Sequence, residues 1–209
     1  MQSFKFKNII SKIIGRLFVP EELIYTADQK ILHLSDTPTT LYSAIQDFIS
    51  TLQPEIIIHT GDLADDIKLE HNPQHLQRYS RSIKPFLEML EESSARELYI
   101  VPGNHDSVDV LSHHTGRTKL IKEGDTLHIG NSTFGLAHTY KKLPNYTDFN
   151  LYGHNFKVPA DLEEGPQYLN GVHNIHVVIL PSRQVVKIPY PWCTNRDRKL
   201  VCQVLPKTI

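Results

Sequence analysis

Three times between residues 31 and 106 the chain repeats one arrangement, a short apolar run that breaks off into a polar cluster. Residues 31–34 lead into Ser35-Asp36-Thr37, residues 55–59 into Thr60-Gly61-Asp62, and residues 98–101 into the turn holding Gly103-Asn104-His105-Asp106. Apolar runs this short read as buried strands, and the stretches of helical period between them predict β-α-β units on a parallel sheet. The helices fall at residues 41–52, with Ala44, Ile45, Phe48 and Ile49 inward, and at residues 74–93, where Pro85 predicts a kink or an end near Lys84. Ligands of such sheets gather beyond the carboxyl ends of the strands, so clusters far apart in sequence converge on one place.

Beyond residue 117 the helical period fades, and strand-like runs take over at residues 126–129, 133–137, 149–152, 176–180 and 184–188. Two of them end in histidine, His138 and His154, which adds imidazoles to the carboxylates and amide of the first half. Residues 139–148 and 155–167, rich in Pro, Asn, Gly and acids, read as loops. At the other end, Ile9, Ile10, Ile13, Ile14 and Leu17 share one helical face, with Lys5, Lys7, Lys12 and Arg16 around it. This predicts an amphipathic basic helix within residues 1–20, ahead of a single domain over residues 21–209. Packing of that helix on its own domain outweighs contact with an anionic membrane, which is expected to be weak.

Lys plus Arg at 22 and Asp plus Glu at 23 give a net charge of −1, so no global field for general nucleic-acid binding exists. The two cysteines, Cys193 and Cys202, are too few for a disulfide framework or a four-thiolate zinc site, which leaves the 12 histidines as the metal-capable residues. No apolar run approaches the ~18 residues of a membrane span, and Lys12 with Arg16 interrupts any signal-peptide core. The expectation is a cytoplasmic protein, at most peripheral to a membrane.

The ordered clusters resemble the calcineurin-like metallophosphoesterase family, whose pattern is D-x-H, G-D, G-N-H-[DE], a single His, then G-H-x-H. Here the series is Asp36-Thr37-Pro38, Gly61-Asp62, Gly103-Asn104-His105-Asp106, His138 and Gly153-His154-Asn155-Phe156. The resemblance implies an α/β sandwich of two mixed β-sheets flanked by helices, and a phosphoesterase that uses metal-activated water. It implies one metal site from Asp62, Asn104, His138 and His154, all present. A second site would take Asp36, Asp62 and two histidines, and at those two positions stand Pro38 and Phe156, which offer no lone pair to a cation. His105 resembles the family's catalytic histidine, with Asp106 expected to orient its ring and raise its pKa.

The implied cofactor is one or two divalent ions, Mn²⁺ first and Zn²⁺ or Fe²⁺ next, given two imidazoles, a carboxylate and an amide oxygen. The implied partner is a phosphorylated small molecule or nucleotide, hydrolysed as a phosphomonoester or phosphodiester with one metal site depleted. The competing reading is a catalytically degenerate member kept for binding or scaffolding. Other residues take structural roles: His33 and His59 brace the site, Asp65 and Asp66 cap the next segment, and residues 192–199 form a charged hairpin tip.

Overall fold

In the computed structural model, residues 16–156 and 165–199 are described. The apolar runs pair into a six-stranded sheet of order β10-β9-β1-β2-β3-β4, built from β1 (Gln29–Leu34), β2 (Ile56–His59), β3 (Glu97–Ile100), β4 (Lys119–Leu120), β9 (Asn174–Leu180) and β10 (Gln184–Pro189). A four-stranded sheet of order β5-β6-β7-β8 holds β5 (Thr126–Ile129), β6 (Ser132–Leu136), β7 (Phe149–Tyr152) and β8 (Gln167–Asn170). Both sheets are mixed: β1 runs parallel to β2 and antiparallel to β9, and β6 runs parallel to β7 and antiparallel to β5. The expected α/β sandwich is the architecture found.

Alternation along the strands makes two cores from one sheet. Leu32, Leu34, Ile57, Leu98 and Ile100 point to the helices α2 (Tyr42–Leu52) and α3 (Leu76–Glu92), meeting Ile45, Phe48, Ile83 and Phe86. Ile31, Ile56, Ile58, Tyr99 and Val101 face the smaller sheet, where Phe134, Leu136, Phe149 and Leu151 close the second core. Short helices α1 (Glu21–Tyr25), α4 (Val108–His114) and α5 (Thr194–Asp197) are also present, as are the strands β4 and β8. These five elements have too few residues for a periodic signal, and the sequence reading does not contain them. Among the described residues no helix is long and apolar enough to cross a membrane. The expected N-terminal helix falls mainly on residues 1–15, outside the described residues; residues 16–20 are irregular.

One half of an expectation is corrected. Helix α3 runs from Leu76 to Glu92 through Pro85, so the helix does not end near Lys84. Tyr79, Ile83, Phe86, Leu87 and Leu90 are buried along one stripe, and Pro85 lies on the exposed side. The carbonyl that its missing N–H leaves without a helical partner is that of Arg81, a residue on the exposed face. Burial of the stripe outweighs the local penalty. Pro85→Ala is accordingly expected to raise the unfolding free energy by about 1–3 kcal/mol in urea titration; an unchanged midpoint would mean the helix already relaxes around the ring.

Candidate metal centre

The parallel pairings bring the carboxyl ends of β1, β2 and β3 to one edge of the large sheet, and those of β6 and β7 to the same edge of the small one. Each end breaks into an abrupt turn. Asp36, Asp62 and His154 all adopt left-handed backbone, with φ of 50°, 59° and 71°, an uncommon region for non-glycine residues that Asp and His enter more readily than most. Gly61, at φ 99°, lies against Gly103 so closely that a β-carbon on either would run into the other turn. Backbone packed on backbone is what holds the second and third clusters together.

Two side chains lock these turns. The Asp106 carboxylate accepts the N–H groups of Asp62 (2.7 Å), Leu63 (2.9 Å) and Gly103 (2.8 Å), and the Tyr79 hydroxyl (2.8 Å). Its hydrogen bonds among the described residues go to backbone and to Tyr79, so it gathers backbone where a role in orienting the His105 ring was expected. Burial, then the nearby Asp62 charge, pushes the Asp106 carboxyl up to about 6 despite those donors. The His105 pKa is lowered rather than raised, first by burial, with Lys68 and His71 adding to it.

Arg198 is the second lock, and the sequence reading missed it by assigning residues 192–199 to an exposed hairpin tip. It is 0% exposed and stacks 4.2 Å over the Tyr190 ring. Its guanidinium donates to the carbonyls of Asp36 (2.6 Å), Val172 (2.8 Å) and Ser35 (3.2 Å). The turn after β1 is thus clamped from behind by a permanent cation.

Four of the expected ligands lie next to one another, with the His138 ring and the Asn104 amide between Asp62 and His154. His138 Nδ1 donates to the Thr60 carbonyl at 2.7 Å, which leaves Nε2 as a lone pair facing inward. That nitrogen lies 2.9 Å from Asn104 Oδ1, 3.3 Å from Asp62 Oδ2 and 3.2 Å from His154 Nδ1, itself 3.0 Å from Asn104 Oδ1. Lone pairs this close repel unless a positive charge sits among them. Burial disfavours charging His138, yet the Asp62 carboxylate overrides it and lifts the ring to about 10. A divalent ion meets the same demand, since bonds of about 2.0–2.2 Å place neighbouring donors roughly 3–3.4 Å apart. The residues present therefore fit a divalent metal. Asp62 Oδ1 is turned the other way and accepts the His105 N–H at 2.9 Å.

Asp36 sits beside this group, with one oxygen of Asp36, one of Asp62 and a His138 nitrogen within 4.8 Å of one another. Its Oδ2 accepts the Ser35 hydroxyl at 2.5 Å and the His154 N–H at 3.0 Å. On that side Pro38 is buried, and Phe156 turns away to meet the His173 ring. Nearby polar groups are engaged elsewhere: Thr37 Oγ1 with His59, Thr39 with Asp66, and His176 stacked on His33. His33 and His59 brace the strand ends as expected, through Thr60 and Thr37.

The pair expected as caps divides its roles. Asp66 does not cap the segment that follows it but accepts the N–H of Thr39 at 2.8 Å, at the start of the turn after β1. Asp65 instead points into the centre with a 0% exposed side chain, Oδ1 on the Lys68 ammonium at 2.5 Å and Oδ2 without a partner. Burial, then the charges of Asp36 and Asp62, pushes its carboxyl up to about 7. Glu70 reaches in from the same loop to accept Asn104 Nδ2 at 2.6 Å, which fixes the amide with its oxygen toward the imidazoles. Asp106→Asn is expected to lose about 1–3 kcal/mol of stability in urea titration, because an amide nitrogen then faces backbone donors; an isostable variant would show the turns hold without it.

A family model for calcineurin-like phosphoesterases matches residues 29–198. No curated protein sequence matches the chain. Among solved structures, YfcE, a phosphoesterase from E. coli, is 13% identical with a TM-score of 0.49, over 78% of this chain and 99% of that one. A second solved structure is 10% identical with a TM-score of 0.48, at the same coverage of 78% and 99%. The family match takes in all five strand-end clusters, and the chain belongs to the calcineurin-like phosphoesterases, metal-dependent hydrolases of phosphate esters.

Proposed function

We propose that this phosphoesterase works with a single tightly held divalent ion, bound by Asp62, Asn104, His138 and His154, and hydrolyses a small phosphomonoester or phosphodiester. The observation that carries the reading is the contrast between the two halves of the centre. One half gathers four donor atoms with neighbour distances of 2.9–3.3 Å, while the other has Pro38 and Phe156 where its imidazoles belong. The mixed nitrogen and oxygen donors suit Mn²⁺ first, with Zn²⁺ or Fe²⁺ as alternatives.

When bound, such an ion polarises the phosphoryl group and lowers the pKa of a water molecule. The chain's own residues do the rest. Thr60 holds His138 in the tautomer that offers Nε2, and Glu70 holds the Asn104 amide with its oxygen inward. The His105 ring stands beside them with a side chain 7% exposed, its Nδ1 near the Glu70 N–H at 3.3 Å. Nε2 then carries the proton, and it hydrogen-bonds a phosphoryl oxygen or passes that proton to the leaving alkoxide. Asp106 serves by fixing the turn that carries His105 and is a positioning residue.

Metal content after Mn²⁺ reconstitution, with turnover of an aryl phosphodiester, tests this. About one ion per chain and activity abolished by chelation are expected. His105→Ala should lower kcat by about 10²–10⁴ with metal content unchanged, whereas Asp62→Ala or His154→Ala should lose the metal itself. Pro38→His with Phe156→His is expected to raise the content toward two. One metal without turnover on any phosphoester would move the chain to the binding class, and no metal would overturn the reading.

A further inference from the structure

Lys68 stands out in the loop between β2 and α3. Its backbone is left-handed, with φ 52°, and its carbonyl accepts three donors, the N–H groups of His71 (3.0 Å) and Asn72 (3.1 Å) and the Asn72 side-chain amide (3.0 Å). A lysine on a surface loop ordinarily sends its ammonium out to water. Here the locked backbone sends it inward, the side chain is 17% exposed, and Nζ lies 2.5 Å from Asp65 Oδ1. Asp65, Asp62 and His105 offer ligand atoms within 4.8 Å of one another, and Asp65 also feels the Asp36 charge. The ammonium therefore lies against Asp65, on the side of the centre where Asp62 and His105 stand.

We infer that Lys68 is an anion-binding residue of the site, its ammonium holding a phosphoryl oxygen beside His105, at the edge of the centre where Asp65 and Asp62 stand. Charge supports this role. Four carboxylates, those of Asp36, Asp62, Asp65 and Asp106, crowd the centre, and Lys68 and Arg198 are cations built into its walls. Asp65 then aims the ammonium through Oδ1, as a positioning residue.

The inference rests on the one-ion reading, and phosphate binding separates the two. The probe is inorganic phosphate, titrated calorimetrically into the Mn²⁺-loaded full chain, with metal content measured on each sample. Lys68→Met should weaken phosphate binding by on the order of tenfold to a hundredfold, the loss of one charge-assisted hydrogen bond, with Mn²⁺ content unchanged. Lys68→Arg should retain most of the affinity. The double variant Asp65→Asn/Lys68→Met decides whether Lys68 merely neutralises Asp65. Continued weak binding supports the anion-binding role; affinity restored to the wild-type level overturns it, as does a Lys68→Met protein that binds phosphate normally, or a loaded wild type that does not bind it. A wild type holding two ions removes the one-ion reading, and the inference then falls with it unless Lys68→Met still weakens phosphate.

Discussion

Parallel strands deliver their carboxyl ends as bundles of unpaired backbone groups, and burying those groups without partners costs a kilocalorie or more each. In this protein two oppositely charged side chains divide the task. Asp106, an anion, collects N–H groups from the turns after β2 and β3, and Arg198, a cation, collects carbonyls from the turn after β1 and from Val172 near the start of β9. The turns can then stay left-handed at Asp36 and Asp62, which aims both carboxylates toward the imidazoles. Every other feature of the centre presupposes that arrangement.

The strand ends were legible in sequence because each is local. An apolar run, a turn residue and a polar group within five positions identify Asp36, Asp62, Asn104, His138 and His154, and the order of the sheet brings them together. What was not legible depends on distant partners. Arg198 looks like one of several exposed cations near Trp192, and only Tyr190 beneath it and carbonyls some 160 residues away in sequence make it internal. Lys68 follows from an Asn72 side chain gripping its carbonyl, a detail without periodicity. Asp65 and Asp66 are neighbours with the same chemistry, yet one holds the turn after β1 and the other faces the centre. Pro85 misled for a related reason, since a proline's effect on a helix depends on which face its lost bond occupies.

The role assigned to Asp106 changes the meaning of the Gly103-Asn104-His105-Asp106 tetrapeptide. Its first and last residues shape the turn, while the Asn104 side chain turns to the imidazoles of the centre. Adjacent positions thus carry unequal burdens. Losing the last would unpick backbone packing first and catalysis as a result, whereas losing His105 leaves the fold's hydrogen bonds almost untouched.

The donors of the centre belong to different sheets: Asp62 and Asn104 extend from the large one, His138 and His154 from the small one. Polar contacts cross the seam at both ends, the His138 ring on the Thr60 carbonyl and the His154 N–H on Asp36 at the centre, and Arg183 on Asp148 and the Asn131 carbonyl at the far end. A cation bound at the centre is a further rivet between two layers that otherwise adhere through side-chain packing and these contacts. Its affinity therefore includes the work of holding the layers in register, and by linkage the sandwich is firmer whenever the cation is bound.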